Sequence, residues 1–467
     1  RLWCVVVCAR GRCAWPRGSA SPRPYRRDLR GSGRMTPSDA GASEQAVVAD
    51  FRTRWLYFGL FAWLQCCGRF MSLYYQAAGL TNAEIGAIFA AGSLVSPMAS
   101  AALGVTADRL ARQHGPVARL CVFYGCILWS TLVFELQAIR WPGVSTFSVM
   151  LVCRILMDCT RSGTMGLLDA VAVQGLADRE RYGEERLFGA YSWAIVGLGL
   201  GFFLDRFGMW VMHVCQPIAA LGLGFALWHG GAPPRRQVLL REACQEDGAD
   251  SDAVEASMEH QGRDVAAQDD GSIRRLLWCY MSSPAKVSFF FYAITLGVGM
   301  TLVENLLFLY FRQMHATYFV CGLSVCVTVM FEIPLFACSK QLLTTFGARG
   351  CLVMTGLCYS FRVIGYTLVP GGAWVLLFEP MHGVTYAFWQ TASVEVMASI
   401  TPPELAATGQ TFLGSLRGLF GTTTGNFVGG LIIDRFGEAT LYRSAAVLVA
   451  LGLSVYLLAS GRRRCGA

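Results

Sequence analysis

Arg154, Asp158, Arg161 and Asp169 sit inside one long apolar stretch of this chain, and Glu304, Glu332, Arg362, Glu379, His382 and Arg417 sit inside later ones. An ionisable group at bilayer depth costs about 2.5–3.5 kcal/mol on insertion scales, so such groups mark solute pathways, proton relays or internal ion pairs. At helical spacing Arg154, Asp158 and Arg161 share one stripe, to which Asp169 returns. Asp158 can pair with either Arg neighbour. The stripe then holds a surplus cation, which an internal salt network or a carboxylate- or hydroxyl-bearing solute would satisfy, because the Arg fork suits such oxygens. Arg69 is a further candidate for the same cavity. Glu304 and Asn305 are read as solute contacts or pair partners, and Arg417 as the neutraliser of an acid across the cavity. These eight residues are the candidate substrate-binding set.

Such residues need long apolar helices to carry them. The chain has 467 residues, of which 54% are hydrophobic and 15% charged, against about 25% charged in soluble domains. That composition belongs to polytopic membrane proteins. Stretches of roughly 20 apolar residues read as membrane helices. Twelve are expected: 54–78, 83–103, 116–138, 146–177, 186–205, 209–229, 287–312, 318–338, 349–369, 373–398, 407–433 and 440–460. The fold class is therefore all-α, with two pseudo-symmetric six-helix halves over 53–230 and 286–462. A polar, acidic loop over 231–285 separates them, with short tails at 1–52 and 463–467. The formal charge of +8 resides entirely in residues 1–34, which hold nine Arg and one acid. Their composition fits a transit peptide, upstream translated sequence or a disordered tail. The remainder is neutral, so nucleic acid is not an expected partner. The 18 Cys lie mostly in apolar stretches without a CxxC pair, so they read as small hydrophobes rather than as a disulfide or metal framework.

The halves repeat. Asp205-Arg206-Phe207-Gly208 recurs as Asp434-Arg435-Phe436-Gly437, and Gly189 and Gly201 recur as Gly418 and Gly430, all 229 positions later. Leu73-Tyr74-Tyr75 echoes Leu309-Tyr310-Phe311 at an offset of 236, and Pro97 echoes Pro334 at 237. Duplicated halves around a central site are transporter architecture. Arg residues concentrate in alternate loops, such as Arg109, Arg112, Arg119, Arg179 and Arg235, and the other loops hold only Arg140, Arg206 and Arg435, with Arg312 at a helix end. Positive residues stay inside, which places both termini in the cytoplasm.

Gly104-Val-Thr-Ala-Asp108-Arg109-Leu-Ala-Arg112 resembles the signature of the major facilitator superfamily between its second and third helices. The sequence reading makes Gly104 a tight turn and Asp108, Arg109 and Arg112 a gating latch. Ser339 to Gly350, the second copy, lacks the Asp-Arg pair. Ser360-Phe-Arg362-Val-Ile-Gly365, Glu332-Ile-Pro334, Glu379-Pro-Met-His382-Gly383-Val-Thr and Pro402-Pro403-Glu404-Leu resemble the lactose permease and nucleoside symporter branch, in particular the "major facilitator associated domain" proteins. The resemblance covers roughly 53–230 and 285–462. It implies proton-coupled or facilitative solute transport, and it places Arg362 and His382 in a proton-coupling network. That branch carries an acid one turn after the His, where this chain has Thr385.

Glu379 lies three residues before His382 on one helical face, and Glu332 is the other candidate proton carrier. Movement of Arg362 toward or away from Glu332 would load or release the proton. The alternative for these groups is a static ion pair. The expected protein is a multi-pass secondary transporter, a proton symporter of a sugar, nucleoside or organic anion working by alternating access. A uniporter, or a receptor or scaffold of the same fold, is the alternative. Its partners are the solute, protons and lipid; a monomer with no cofactor and no metal is expected. No Walker loop, HExxH or GxSxG is present, so no enzyme is expected.

Overall fold

The structure is a computed structural model that describes residues 53–115, 117–175, 182–230, 274, 276–402 and 405–461. Among these residues there are helices and no strand. The leader, both tails, most of the 231–285 loop, Arg179 and the Pro403-Glu404 pair lie outside the described residues. Helix α1 runs over 53–66 and, after a break, Met71–Ala77; α2 is Asn82–His114, α3 Val117–Leu136, α4 Thr146–Gly175, α5 Tyr182–Phe207 and α6 Val211–Gly230. In the second half α7 is Pro284–Gln313, α8 Tyr318–Ala337, α9 Ser339–Tyr366 and α10 Pro380–Ile400. Helix α11 is built from Ala406–Leu416, Arg417–Thr422 and Thr423–Phe436, and α12 is Glu438–Gly461.

Helical runs thus occupy every expected position. Eight of them, α2, α3, α5, α6, α7, α8, α9 and α12, are long and apolar enough to cross a membrane. Of the other four, α1 is broken, α4 holds four charged residues, α10 contains His382 and α11 contains Arg417 within a π-turn. The chain is an integral multi-pass membrane protein. Exposed Ile218, Leu221, Phe225 and Trp228 on α6 illustrate its apolar outer face, which a lipid solvent would cover.

Boundaries differ from expectation where polar residues extend a helix. Thr81 caps α2: its hydroxyl accepts from the Glu84 amide at 3.2 Å and the Glu84 carboxylate accepts from the Thr81 amide at 2.9 Å, a reciprocal capping box. The helix continues to His114, so Gly104, Asp108, Arg109 and Arg112 lie on its last turns. Gly104 is helical, which corrects its reading as the turn; the chain turns at Gly115, with φ of 85°. Apolarity ends near 103, but backbone hydrogen bonding does not. Similarly α9 starts ten residues earlier than expected and is interrupted at Gly347, φ 66°. Helix α10 starts later, at Pro380, behind a 3-10 turn over Gly372–Leu377, since a proline suits the first helical position.

Between the halves, α2 packs on α11 and α5 on α8. These contacts exchange under the repeat, which maps α2 to α8 and α5 to α11. The repeated tetrapeptide finds its purpose here. Asp205 accepts hydrogen bonds from the amides of Tyr318 (2.9 Å) and Phe319 (2.7 Å) at the start of α8. Asp434 accepts from those of Asn82 (3.1 Å) and Ala83 (2.7 Å) at the start of α2. A carboxylate satisfies free helix-terminal amides and complements the helix dipole. The repeated glycines do the rest. A Cβ on Gly201 would collide with the Tyr318 carbonyl, and one on Gly430 with the Asn82 carbonyl. Gly322 and Gly86 lie on the facing helices of the same two crossings, against the carbonyls of Gly197 and Asn426. Small residues let the backbones touch.

Candidate functional site

Three helices depart from α geometry in the interior, and each departure carries one of the charges singled out above. Helix α1 breaks at 67–70, beside Arg69. Helix α7 widens into a π-turn at Leu302–Leu306, which carries Glu304. Helix α11 does the same at Arg417–Thr422. Single π-turns inside α-helices are frequent at functional sites. The first two are repeat mates, since residues 67–70 fall on 303–306 at the offset of 236.

The break in α1 explains Arg161. Its guanidinium donates to the carbonyls of Cys67 (3.0 Å) and Leu64 (2.5 Å) and lies over the Trp63 ring, 5.6 Å from its centroid. Those carbonyls have lost helical partners, and Arg161 replaces them. The surplus cation of the α4 stripe is therefore met by backbone. Arg161→Leu is expected to destabilise the protein by about 1–3 kcal/mol, the cost of leaving buried acceptors unpaired; thermal unfolding of the purified protein checks this.

The rest of the α4 stripe divides among separate partners. Arg154 and Asp158 close into an ion pair at 2.6 Å, with Arg154 over Phe89 at 4.8 Å. Asp169 lies apart, accepting from the Tyr57 hydroxyl at 2.7 Å with Arg186 at 3.9 Å. At the signature, Asp108 pairs with Arg119 of α3 at 2.6 Å, and Arg109 and Arg112 are exposed. Asn305 donates to Asn426 of α11 at 2.9 Å, and Asn426 to Ser93 of α2 at 3.3 Å. Asn305 is thus a link between helices.

Four charges stay open. Arg69, Glu304, Glu332 and Arg417 form no ion pair among the described residues, although Glu332 lies within electrostatic reach of Arg69 and Glu304, and Arg417 within reach of Glu304. Glu304 is exposed and the other three are half-buried. One buried nitrogen of Arg69 and one of Arg417 have no hydrogen-bond partner. Arg417 rests over Trp389, 5.2 Å from the centroid. Tyr386 lies within electrostatic reach of Glu304, Glu332 and Arg417, and of Arg186 as well.

Apart from these charges, α9 and α10 hold a closed network. Arg362 is 1% exposed and Glu379 fully buried. Arg362 donates to Glu379 (2.9 Å), to His382 Nδ1 (2.6 Å) and to the Tyr366 hydroxyl, which itself donates to Glu379 at 2.6 Å. Arg has no acceptor, so Nδ1 of His382 carries a lone pair and the ring proton sits on Nε2. The His382 ring stacks on Tyr386 at 6.0 Å and so joins the network to the open charges. The expected approach of Arg362 to Glu332 is not what the structure places together: Arg362 bonds Glu379 and His382, and Glu332 lies within electrostatic reach of Arg69 and Glu304.

Sequence reasoning missed Tyr386, one turn after His382, and Gln65, whose two amide atoms are buried without partners. It also missed His213, which bridges Glu135 (3.0 Å) and the Tyr74 hydroxyl (3.1 Å). The i+4 spacing from His382 was the available signal for Tyr386. Nothing local marks the other two.

The profile of the MFS_1 like family matches residues 51–444. The maltose permease of Geobacillus stearothermophilus is 22% identical over 397 residues, 84% of this chain and 90% of that protein. The human "Major facilitator superfamily domain-containing protein 6-like" is 27% identical over 165 residues, which span 35% of this chain and 28% of that protein. Among solved structures, the nucleoside transporter NupG superposes with a TM-score of 0.66 at 14% identity, covering 88% of this chain and 98% of the other. A family match across most of the chain, a shared fold and the repeated helix crossings agree: the chain belongs to the MFS_1 like family, within the major facilitator superfamily.

Proposed function

We propose that this protein is a secondary transporter in which a proton and a small polar solute cross the membrane together by alternating access. The maltose permease and NupG carry solutes by name, and the same fold supports that class of activity here. In this reading the twelve helical runs all cross the bilayer, both termini face the cytoplasm, and the halves 53–230 and 286–462 rock about the central charges. The two Asp-capped, glycine-lined crossings then form the seam on the outer side.

One observation carries the proton: of the two open carboxylates, Glu304 is exposed whereas Glu332 is half-buried without a fixed partner. Glu379 is held by Arg362 and Tyr366 and has no freedom to exchange a proton without dismantling the network. Glu332 on α8 meets Arg69 from the other half through the field alone. Closing the halves brings Arg69 closer and favours the carboxylate; opening them favours the acid. His382 and Tyr386 link this exchange to Arg362.

The test uses the full chain in liposomes, with a panel of sugars, nucleosides and organic acids and a readout of external pH. Solute-induced alkalinisation is expected. Glu332→Gln is expected to keep solute exchange and lose the proton movement. Saturable uptake with no proton movement in the unmodified protein would make it a uniporter, and inertness to the whole panel would favour a receptor of the same fold.

A further inference from the structure

We propose that Glu304 and Arg417 are the two ends of a receptor for a zwitterionic solute, one that presents an ammonium to the carboxylate and a carboxylate to the guanidinium. The inference rests on the transport reading above and deepens it.

The geometry carries it in three steps. First, the two charges lie on packed neighbouring helices, and Arg417 reaches α7 one turn before Glu304, its Nη2 at 3.8 Å from Met300 Sδ; yet they form no ion pair, whereas Arg154 and Asp158 of the same bundle close to 2.6 Å. Long side chains that could meet and do not are held by their backbones. Both stand on π-turns, and α7 and α11, which carry them, are pinned together by Thr301 to Thr422 at 3.1 Å and by Asn305 to Asn426 at 2.9 Å. Second, one guanidinium face of Arg417 is covered by Trp389, and its Nε is buried without an acceptor. Among the described residues its Nη2 meets only the weak acceptor Met300 Sδ, at 3.8 Å, so the stacked plane offers its N–H edge to a stronger, two-oxygen partner. Third, Glu304 is exposed, so a cation can reach it.

Alternating access removes water from this site once per cycle. A neutral solute would leave both charges desolvated and unpaired, and a singly charged solute would leave one. A zwitterion pairs both ends and leaves Glu332 and Arg69 for the proton.

The full chain in liposomes is loaded and assayed for uptake of glycine, β-alanine, γ-aminobutyrate and 5-aminopentanoate, each beside its N-acetyl and its amide derivative. Glucose and uridine complete the set. Saturable uptake of at least one amino acid is expected, with at least about tenfold loss on blocking either end, since a site built for a polar group rejects the analogue lacking it. Glu304→Gln should abolish the discrimination against the N-acetyl form and keep that against the amide; Arg417→Gln should do the reverse. Arg417→Lys retains the charge and controls for folding. Uptake of glucose or uridine with every zwitterion inert overturns this inference and leaves the transport reading standing. Zwitterion uptake with unaltered discrimination in both Gln variants also overturns it. Inertness to every probe overturns both.

Discussion

Arg362→Ala is expected to lower the stability of the protein by about 3–5 kcal/mol, the usual cost of removing one partner from a buried ion pair. The substitution strands the Glu379 carboxylate, which is fully buried and otherwise holds only the Tyr366 hydroxyl. It also removes the donor on His382 Nδ1. Thermal unfolding of the purified full chain reads the loss directly. The double variant Arg362→Met with Glu379→Gln separates burial from charge: it removes both ions and keeps most of the volume, and it should recover most of the stability. If the single variant unfolds like the unmodified protein, the network does not hold α9 on α10. Arg362→Lys should recover only part, because a point charge cannot reach Glu379, His382 and Tyr366 at once as the planar fork does.

Gly430→Leu is expected to prevent closure of the crossing between α2 and α11. Its added atoms would enter the space of the Asn82 carbonyl and of Gly86, where backbone, not a movable side chain, is in the way. Interiors repack poorly around such insertions, so the helices must separate. Gly201→Leu should do the same at α5 and α8 by meeting the Tyr318 carbonyl. In a background with the native cysteines replaced, Ser93→Cys on α2, which touches Asn426 of α11, reports the opening. Its labelling by a membrane-impermeant maleimide added outside should rise at least about tenfold in Gly430→Leu, the response to a shift of about 1.4 kcal/mol between two conformations. Unchanged labelling would mean that the seam does not separate during the cycle. Asp434→Asn should raise it less, since its one amide oxygen still accepts from one of the two backbone amides that Asp434 holds with separate oxygens.

The membrane class, the positions of the helical runs and the duplication are legible in the residues because each depends on local composition or on a repeated string. Apolar length selects helices in lipid, where every backbone group must pair within its own segment. The strings Asp205–Gly208 and Asp434–Gly437 announced a repeat without announcing a task; only the packing of α5 on α8 and α2 on α11 reveals that both Asp residues cap the facing helix. The signature residues were placed correctly in order, yet their turn moved from Gly104 to Gly115, because polar residues end apolarity before they end a helix. Glu379 and His382 on one face followed from helical spacing, and Arg362 joined them in space. What spacing cannot give is which charge meets which across helices far apart in sequence. The α4 stripe looked like one site, and tertiary structure divided it among Asp158, the α1 carbonyls and Tyr57. It also left Arg69, Glu304, Glu332 and Arg417 open, the first, second and fourth of them on a helix break and two π-turns that no local pattern foretold. Pairing is decided by where helix axes cross and by which backbone groups a break sets free, and both are properties of the assembled bundle.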